Sequence, residues 1–281
     1  MKEIKAADII KTVKELCLKA ACDLPGKVEQ SLYKACMNEV SQFGRFALNT
    51  IMENIEYARK LNLPICQDTG MVIVFAEIGQ DVHIIEGNLN IAINEGVRQA
   101  YKDGYLRKSI VTDPIFKRKN SQDNTPAVIH TEIVPGGSLK IFILPKGGGS
   151  ENMGRLCMLK PSDGIAGVRG FVIESVLAAG GNACPPTIVG VGIGGTMDLA
   201  AVLAKKALCR EMGKSNENEE YAELEKSLLE DINRTGVGPQ GLGGRNTALA
   251  VHIEYFPTHI TSMPVAVSFN CHAARSAWAV L

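Results

Sequence analysis

The stretch Ile65-Cys66-Gln67-Asp68-Thr69-Gly70-Met71-Val72-Ile73-Val74-Phe75-Ala76 decides the fold class, because helical spacing ends before it and strand-type sequence begins within it. Met71 to Ala76 is a short apolar run bounded by turn residues, which predicts a buried strand. Upstream, apolar residues recur every three or four positions, which predicts helices from Ile4 to Leu24, after Pro25-Gly26 and from Gln42 to Leu61. The N-terminal third is therefore predicted to be helical.

After this strand, helical and strand-type patterns mix without a regular βα alternation, which predicts an α+β fold. Ala127–Val134 and Leu139–Leu144 are expected to pair as a β-hairpin around the turn Pro135-Gly136-Gly137. We interpret residues 1–281 as one domain. The remaining pattern predicts helices at 89–102, 162–179, 197–212 and up to Asn233, and strands at 187–191, 248–255 and 265–269.

Composition and charge argue against several classes of function. The 281 residues include 30 Lys+Arg and 30 Asp+Glu, so no charge excess marks a protein that binds nucleic acid or an anionic membrane. The hydrophobic share of 46% predicts a folded globular chain. No uninterrupted apolar run reaches the roughly 18 residues of a membrane helix, and no signal segment is evident. We expect a cytoplasmic protein without a nucleic-acid or membrane partner.

The chain contains eight cysteines, which in a reducing compartment indicate packing residues, metal ligands or catalytic thiols rather than disulfides. Cys66, Cys184 and Cys271 lie at the ends of predicted elements, where functional groups are usually presented. The other five lie in helical or apolar contexts or near a helix end and are predicted to be packing residues: Cys17, Cys22, Cys36, Cys157 and Cys209.

The three junction cysteines are far apart in sequence and form no C-x2-C pair, which argues against a small structural zinc site. Distant thiolates can still meet on one metal or cluster. Three thiolates on a 4Fe-4S cluster would leave one iron open to act as a Lewis acid. Spacing alone leaves a catalytic cluster, a non-catalytic iron-sulfur or redox-sensing protein, and a zinc-stabilised binding module as alternatives.

Two glycine-rich segments call for separate interpretation. Gly190-Val191-Gly192-Ile193-Gly194-Gly195 matches G-x-G-x-x-G, but the acidic second strand of a dinucleotide-binding unit does not follow it. Lys146-Gly147-Gly148-Gly149-Ser150 lacks the order of a phosphate loop. Its backbone N–H groups and Lys146 are suited either to holding a carboxylate or to forming a simple turn.

Several polar residues are candidates for acid-base chemistry or substrate binding. Gln67 and Asp68 adjoin Cys66, and a carboxyl group near a metal can serve as an acid or a base. Arg107 is either a surface cation or a bidentate partner for a dicarboxylate. His259 follows a predicted strand and is either a structural histidine or a proton carrier.

Six motifs together resemble class I, iron-sulfur-dependent fumarate hydratases, in their α subunit or N-terminal domain. The tartrate dehydratase α subunits share this architecture. The motifs occur in the family's order and span most of the chain: Cys66-Gln67-Asp68-Thr69-Gly70, Lys146-Gly147-Gly148-Gly149-Ser150, Ala183-Cys184-Pro185-Pro186, Ile193-Gly194-Gly195-Thr196, Gly238-Pro239-Gln240-Gly241-Leu242-Gly243-Gly244 and Asn270-Cys271-His272-Ala273-Ala274-Arg275.

The resemblance implies that Cys66, Cys184 and Cys271 ligate a 4Fe-4S cluster. It implies that the chain, as a hydro-lyase, reversibly hydrates fumarate to L-malate, a step of the tricarboxylic acid cycle, with L-tartrate dehydration as the alternative. In this family further catalytic groups belong to a C-terminal domain or β subunit, so a β partner in an α2β2 heterotetramer is expected. The resemblance implies that the dicarboxylate is bound by Gln67, Arg107, Gly148 and Gly149. It also implies that protons are transferred by Asp68 and His259.

Overall fold

The computed structural model describes residues 2–281 and divides the chain into two compact units. The first unit contains the chain up to Pro25, Ile55–Gly148 and Arg275–Leu281. The second contains Gly26–Asn54 and Gly149–Ala274. Both units combine helices with strands, which confirms the predicted α+β class.

The chain forms the following elements. The helices are α1 (Ala6–Cys22), α2 (Gly26–Asn38), α3 (Gln42–Leu61), α4 (Leu89–Asp103), α5 (Gly148–Glu151), α6 (Gly164–Ala179), α7 (Met197–Ala207) and α8 (Glu219–Arg234). The strands are β1 (Lys2–Lys5), β2 (Met71–Gly79), β3 (Val82–Ile85), β4 (Val128–Val134), β5 (Leu139–Lys146), β6 (Arg155–Leu159), β7 (Thr187–Gly194), β8 (Ala248–Phe256), β9 (Met263–Asn270) and β10 (Ala277–Val280). Short 3-10 turns cover Pro161–Asp163, Gly180–Ala183 and Pro239–Gly241.

The first unit has a two-stranded parallel sheet, β1-β3, and a four-stranded sheet with the order β10-β5-β2-β4, so the predicted hairpin between β4 and β5 is wrong. β2 lies between them, parallel to β4 and antiparallel to β5. The connecting turn instead bonds to the end of β2, where Gly79 N donates to Ser138 O at 2.8 Å and Asp81 N donates to Gly136 O at 3.0 Å. An apolar strand with its backbone paired on both edges is the more stable arrangement, because buried N–H and C=O groups need partners.

Helices α1 and α4 cover this sheet and form the core of the first unit with it. Gly96 of α4 lies against α1, where an added Cβ would be 2.7 Å from the carbonyl oxygen of Ile10. The missing side chain thus allows the two helices to approach closely. The fully buried members of this core include Ile9, Val13, Val72, Val74, Ile93, Val97, Ile141 and Ile143.

The sheet of the second unit has the order β6-β9-β7-β8, and every residue of β7 is buried. Val189 and Val191 belong to the core formed with α6 and α8. The alternate residues Gly190 and Gly192 face α7, where an added Cβ would be about 2.2 Å and 2.0 Å from backbone oxygens of that helix. The glycines of the G-x-G-x-x-G match therefore have a packing reason, which is close contact between helix and strand.

One helical stretch, Pro161–Ala183, has the length and apolar composition of a membrane-spanning helix, with a mean hydropathy of 1.3. Core helices of soluble proteins also meet this criterion, so the finding is weak. The side chain of Arg169, within the stretch, bonds to Ser227 and Asp231 of α8.

Candidate functional site

The segment Cys66–Asp68 of the first unit connects α3 to β2 and is anchored on both sides. Ile65 before it and Thr69 after it are buried. Gly70 has a φ of +84°, and an added Cβ would be 2.8 Å from the backbone of Lys146, so only glycine fits there. Cys66 and Asp68 are half-buried and Gln67 is exposed, so the segment offers its side chains to a ligand from a fixed backbone.

Asp68 links this segment to the glycine-rich motif after β5. Its Oδ1 accepts a hydrogen bond from Gly70 N at 3.0 Å, and its Oδ2 accepts one from Gly148 N at 2.7 Å. An ionised carboxylate has about four lone-pair sites, so two N–H donors fix its orientation and leave capacity for a proton or a ligand. The structure thus brings together two predicted site residues, Asp68 and Gly148.

The backbone of Arg107 is fixed next to Thr69, whose hydroxyl donates to the Arg107 carbonyl oxygen at 3.0 Å. Asn124, with no exposed surface, joins the same region: its Oδ1 accepts from Ser109 N at 2.8 Å and its Nδ2 donates to Gly70 O at 3.1 Å. The residue Arg107 itself is exposed. The guanidinium therefore extends from an anchored backbone position beside the Asp68 segment.

Arg275 is a buried cation close to the glycine-rich motif. It is 2% exposed, and its Nε and Nη1 have no hydrogen-bond partner among residues 2–281. A Cβ added to Gly147 would lie 3.4 Å from Asp68 Oδ2 and 3.7 Å from Arg275 Nη2. The glycine therefore allows a carboxylate and a guanidinium to approach the same point of the loop.

In the second unit, the backbone joins the segments of Cys184 and Cys271. Cys184 ends the turn Gly180–Ala183 in the left-handed conformation, with φ 53° and ψ 61°. His272, which follows Cys271 at the end of β9, donates its backbone N–H to Cys184 O at 3.1 Å. Two of the three predicted ligand segments thus meet within one unit, and Cys66 belongs to the other.

None of the eight cysteines, all within the described part of the chain, forms a disulfide. Cys17 is 1% exposed, and burial raises the pKa of its thiol to about 12, as suits a packing residue. Cys66, Cys184 and Cys271 are half-buried, but so are the other four cysteines.

Across residues 2–281 no three His, Cys, Asp or Glu side chains are grouped closely enough for a single metal ion. Thiols at chain turns are the type of ligand that an iron-sulfur cluster prefers. The ligands of a cluster also lie farther apart than the ligands of a single metal ion.

His259 lies on the exposed loop between β8 and β9. Its Nδ1 accepts a hydrogen bond from the backbone N–H of Thr261 at 3.3 Å and lies 2.8 Å from the Thr261 hydroxyl oxygen. An accepting Nδ1 places the proton of the neutral ring on Nε2. Gly149, the remaining predicted binding residue, is also exposed.

Comparison with known families identifies the class of the protein. A family model described as Fumarate hydratase (Fumerase) matches residues 10–280. The chain belongs to the fumarate hydratase family. This confirms the resemblance drawn from the six motifs and makes the chain a member of a hydro-lyase family.

Curated relatives of this family member match it over most of their length. A Methanocaldococcus jannaschii protein, provisionally named L(+)-tartrate dehydratase subunit alpha, is 44% identical over 279 residues, which cover 98% of this chain and 96% of the relative. The L(+)-tartrate dehydratase subunits alpha of Escherichia coli K12 and Shigella sonnei are each 37% identical over 254 residues, covering 90% of this chain and 84% of the relative.

One residue of this fumarate hydratase family member had no sequence signal at all. Glu39, 3% exposed, accepts hydrogen bonds from the backbone N–H groups of Ser41, Arg245 and Asn246 and from the Asn246 side chain. Burial acts to raise the pKa of its carboxyl, but these bonds outweigh burial and hold the pKa at about 2. Glu39 thereby fixes the end of the Gly238–Gly244 motif.

Proposed function

We propose that this chain is the α subunit of a 4Fe-4S-dependent hydro-lyase that reversibly hydrates fumarate to L-malate. Membership of the fumarate hydratase family supports the reaction class. The observation that carries the proposal is the Asp68 carboxylate, which directly follows Cys66-Gln67 and is oriented by the N–H groups of Gly70 and Gly148. A carboxylate fixed beside a thiol ligand is suited to acid-base work on a bound hydroxy acid.

Cys66, Cys184 and Cys271 are the proposed ligands of the cluster. Their half-buried thiols and the absence of disulfides in the described chain are compatible with thiolate ligation. When bound, a 4Fe-4S cluster with three protein thiolates offers an open iron that polarises a substrate hydroxyl.

The chain's own polar groups would bind the substrate and handle protons. The exposed Arg107 suits one carboxylate of the substrate, because guanidinium and carboxylate pair in a bidentate geometry. Gln67 and the backbone at Gly148 and Gly149 are proposed as further contacts. Asp68 and His259 are proposed to handle protons, since His259 lies on an exposed loop and Asp68 is held in place by two N–H donors.

We propose a β subunit as the partner, in an α2β2 assembly located in the cytoplasm. Three of the relatives are named as alpha subunits, which supports a second chain. The β subunit would supply the base that removes the C–H proton and further cations for the carboxylates. The α chain alone is then expected to bind the cluster but to turn over no substrate.

L-tartrate dehydration is a second candidate, favoured by the names of these same relatives. Fumarate and the product of tartrate dehydration are both four-carbon dicarboxylates. The groups described above therefore suit both substrates, and kinetics must decide between them.

The test is to produce the chain with and without its β partner under argon and to assay fumarate, L-malate and L-tartrate. We expect iron and sulfide in the α chain, activity only with the β partner, and a higher kcat/KM for fumarate than for L-tartrate. The reverse preference would establish the second candidate. Protein that contains no iron and sulfide, or a Cys184→Ser enzyme with wild-type activity, would contradict the cluster-dependent mechanism.

A further inference from the structure

Gln240 adopts a backbone conformation that side chains rarely take. It lies in the Gly238–Gly244 motif between α8 and β8 with φ 54° and ψ 18°. A residue with a Cβ is strained in this left-handed region, and such strain persists only where the surroundings demand it. The neighbours Gly238 and Gly241 have positive φ without this strain, so the side chain of Gln240 calls for an explanation.

The Gln240 amide contacts both cysteine segments of the second unit. Its Nε2 donates to Pro185 O at 2.7 Å, one residue after Cys184. The same Nε2 lies 3.0 Å from Nδ1 of His272, one residue after Cys271. If the amide were turned around, its oxygen would face Pro185 O, which is also an acceptor. The Pro185 carbonyl oxygen therefore fixes the orientation of the amide group.

These contacts complete a closed set of bonds. His272 N donates to Cys184 O at 3.1 Å, and Gln240 N donates to the same Pro185 O at 2.8 Å. The backbone bond keeps Pro185 O satisfied even when the glutamine side chain is removed. Loss of the amide should therefore loosen the two cysteine segments without leaving that buried carbonyl group unpaired.

We propose that Gln240 is a positioning residue that holds the Cys184 and Cys271 segments in the arrangement that retains the cluster. This inference rests on the proposed function, because it takes the two cysteines as cluster ligands. Outer groups that orient ligands typically change metal affinity about 10- to 100-fold when they are replaced. Gln240 acts through the two segments and needs no contact with substrate.

The test uses the full chain, loaded with iron and sulfide under argon, and the variant Gln240→Met, which has similar length but no donor. The measurement is the rate at which the protein releases iron to a ferrous chelator, together with the EPR spectrum of the cluster after reduction with dithionite. We expect release about 10- to 100-fold faster than in the wild type and an altered spectrum. The matched control is Gln99→Met, because Gln99 also makes a side-chain bond, to Glu95 at 2.8 Å, in the first unit.

Wild-type release and spectrum in Gln240→Met would overturn the role of Gln240 while leaving the cluster intact. If that variant does not fold, Gln240→Glu decides, since its carboxylate has the same shape but faces Pro185 O as an acceptor; unchanged release there overturns the role as well. A wild-type chain that takes up no iron and sulfide overturns the proposed cofactor and, with it, this inference.

Discussion

Gly148 donates its backbone N–H to Oδ2 of Asp68 at 2.7 Å, across 80 residues of sequence. The glycine-rich motif after β5 therefore has a carboxylate partner within the chain, where the sequence had left open whether it binds a carboxylate or only turns. Gly70 N binds the other carboxylate oxygen at 3.0 Å. Asp68 is thus oriented before any substrate arrives, which is the condition for efficient proton transfer.

Replacing Asp68 with Asn should abolish most of the activity. The amide cannot take up a proton, and its NH2 group would face an N–H donor at Gly70 or Gly148. We expect kcat to fall by about 10²- to 10⁴-fold, the usual contribution of a general acid or base. The measurement is steady-state kinetics of the enzyme assembled with its β partner, in both directions of the reaction.

The control for this variant is Asp81→Asn, at an exposed position after β2. It changes the same functional group and should retain wild-type kinetics. Circular dichroism should show that both variants are folded, since Asp68 is only half-buried. An Asp68→Asn enzyme with the kcat of the wild type would contradict the proposed role.

Replacing Arg275 with Met should lower activity without lowering stability. Two buried donors of Arg275, Nε and Nη1, lack partners within residues 2–281, and each such group destabilises a fold by about 1–3 kcal/mol. A methionine removes that penalty, but it also removes the cation next to Gly147 and near Asp68. We expect an unchanged or higher urea midpoint. We also expect kcat to fall about tenfold or more, because loss of the cation would displace the loop at Gly147 and a misplaced loop is costly to catalysis.

Arg155→Met is the matched control, because Arg155 in the second unit also has a buried donor, Nη1, without a partner among residues 2–281. It should change the urea midpoint little, because its ion pair with Glu174 is partly exposed, and it should leave kcat unchanged. A strongly destabilised Arg275→Met chain with normal kcat would show that Arg275 is only structural.

The sequence predicted those elements whose pattern is long enough to show a period. Helices α2 and α3 begin at or near the predicted residues, and the apolar run at Met71 became β2. Strands β1, β3, β6 and β10 were missed because four or five residues are too few to display an alternation, and the start of the predicted first helix falls in β1. The hairpin prediction failed for a different reason: pairing of β4 and β5 with β2 depends on contacts that neighbouring sequence does not reveal.

The residues of the candidate site also divide into those that the sequence indicated and those that it did not. Motifs indicated Asp68 and the three junction cysteines as candidates, because their residue types and positions carry the chemistry. The supporting residues gave no local signal. Glu39 binds Arg245 across 206 residues, and Asn124 binds Gly70 across 54, so their roles arise only when the chain has folded. Arg275 stood within a recognised motif, but the burial of its Nε and Nη1 without partners among the described residues could not be deduced from sequence.

Replacing Glu39 with Gln should destabilise the second unit at neutral pH. The folded-state pKa of about 2 lies below the ordinary value of 4.5, so the ionised carboxylate contributes roughly 3 kcal/mol of stability above pH 4.5. That contribution is lost as the pH falls from about 4.5 towards 2. Urea unfolding at pH 7 should therefore separate wild type and variant by roughly this amount, and the difference should shrink in acid.

The control for Glu39→Gln is Glu53→Gln, on the exposed side of α3. It should change the urea midpoint little at either pH, because exposed charges contribute little to stability. A Glu39→Gln difference that stays constant between neutral and acidic pH would mean that the carboxylate charge is not the source of the effect.

His252 should make the stability of the chain depend on pH in a separate window. It is 3% exposed on β8, with Nδ1 located 3.2 Å from Ala207 O. Burial, aided by the charge of Arg210, lowers the pKa of the ring from 6.5 to about 4. The unfolded chain therefore binds a proton between pH 6.5 and 4 that the folded chain does not. Stability falls as the pH drops through this window, by roughly 3 kcal/mol in total.

His252→Asn tests this dependence, because the asparagine amide can still donate to Ala207 O but does not titrate. We expect the variant to lose less stability than the wild type between pH 6.5 and 4, whatever its stability at pH 7, in urea titrations across that range. His83→Asn, at an exposed position on β3, should retain the wild-type slope. If the His252→Asn slope equals that of the wild type, the buried ring is not the group that unfolding protonates.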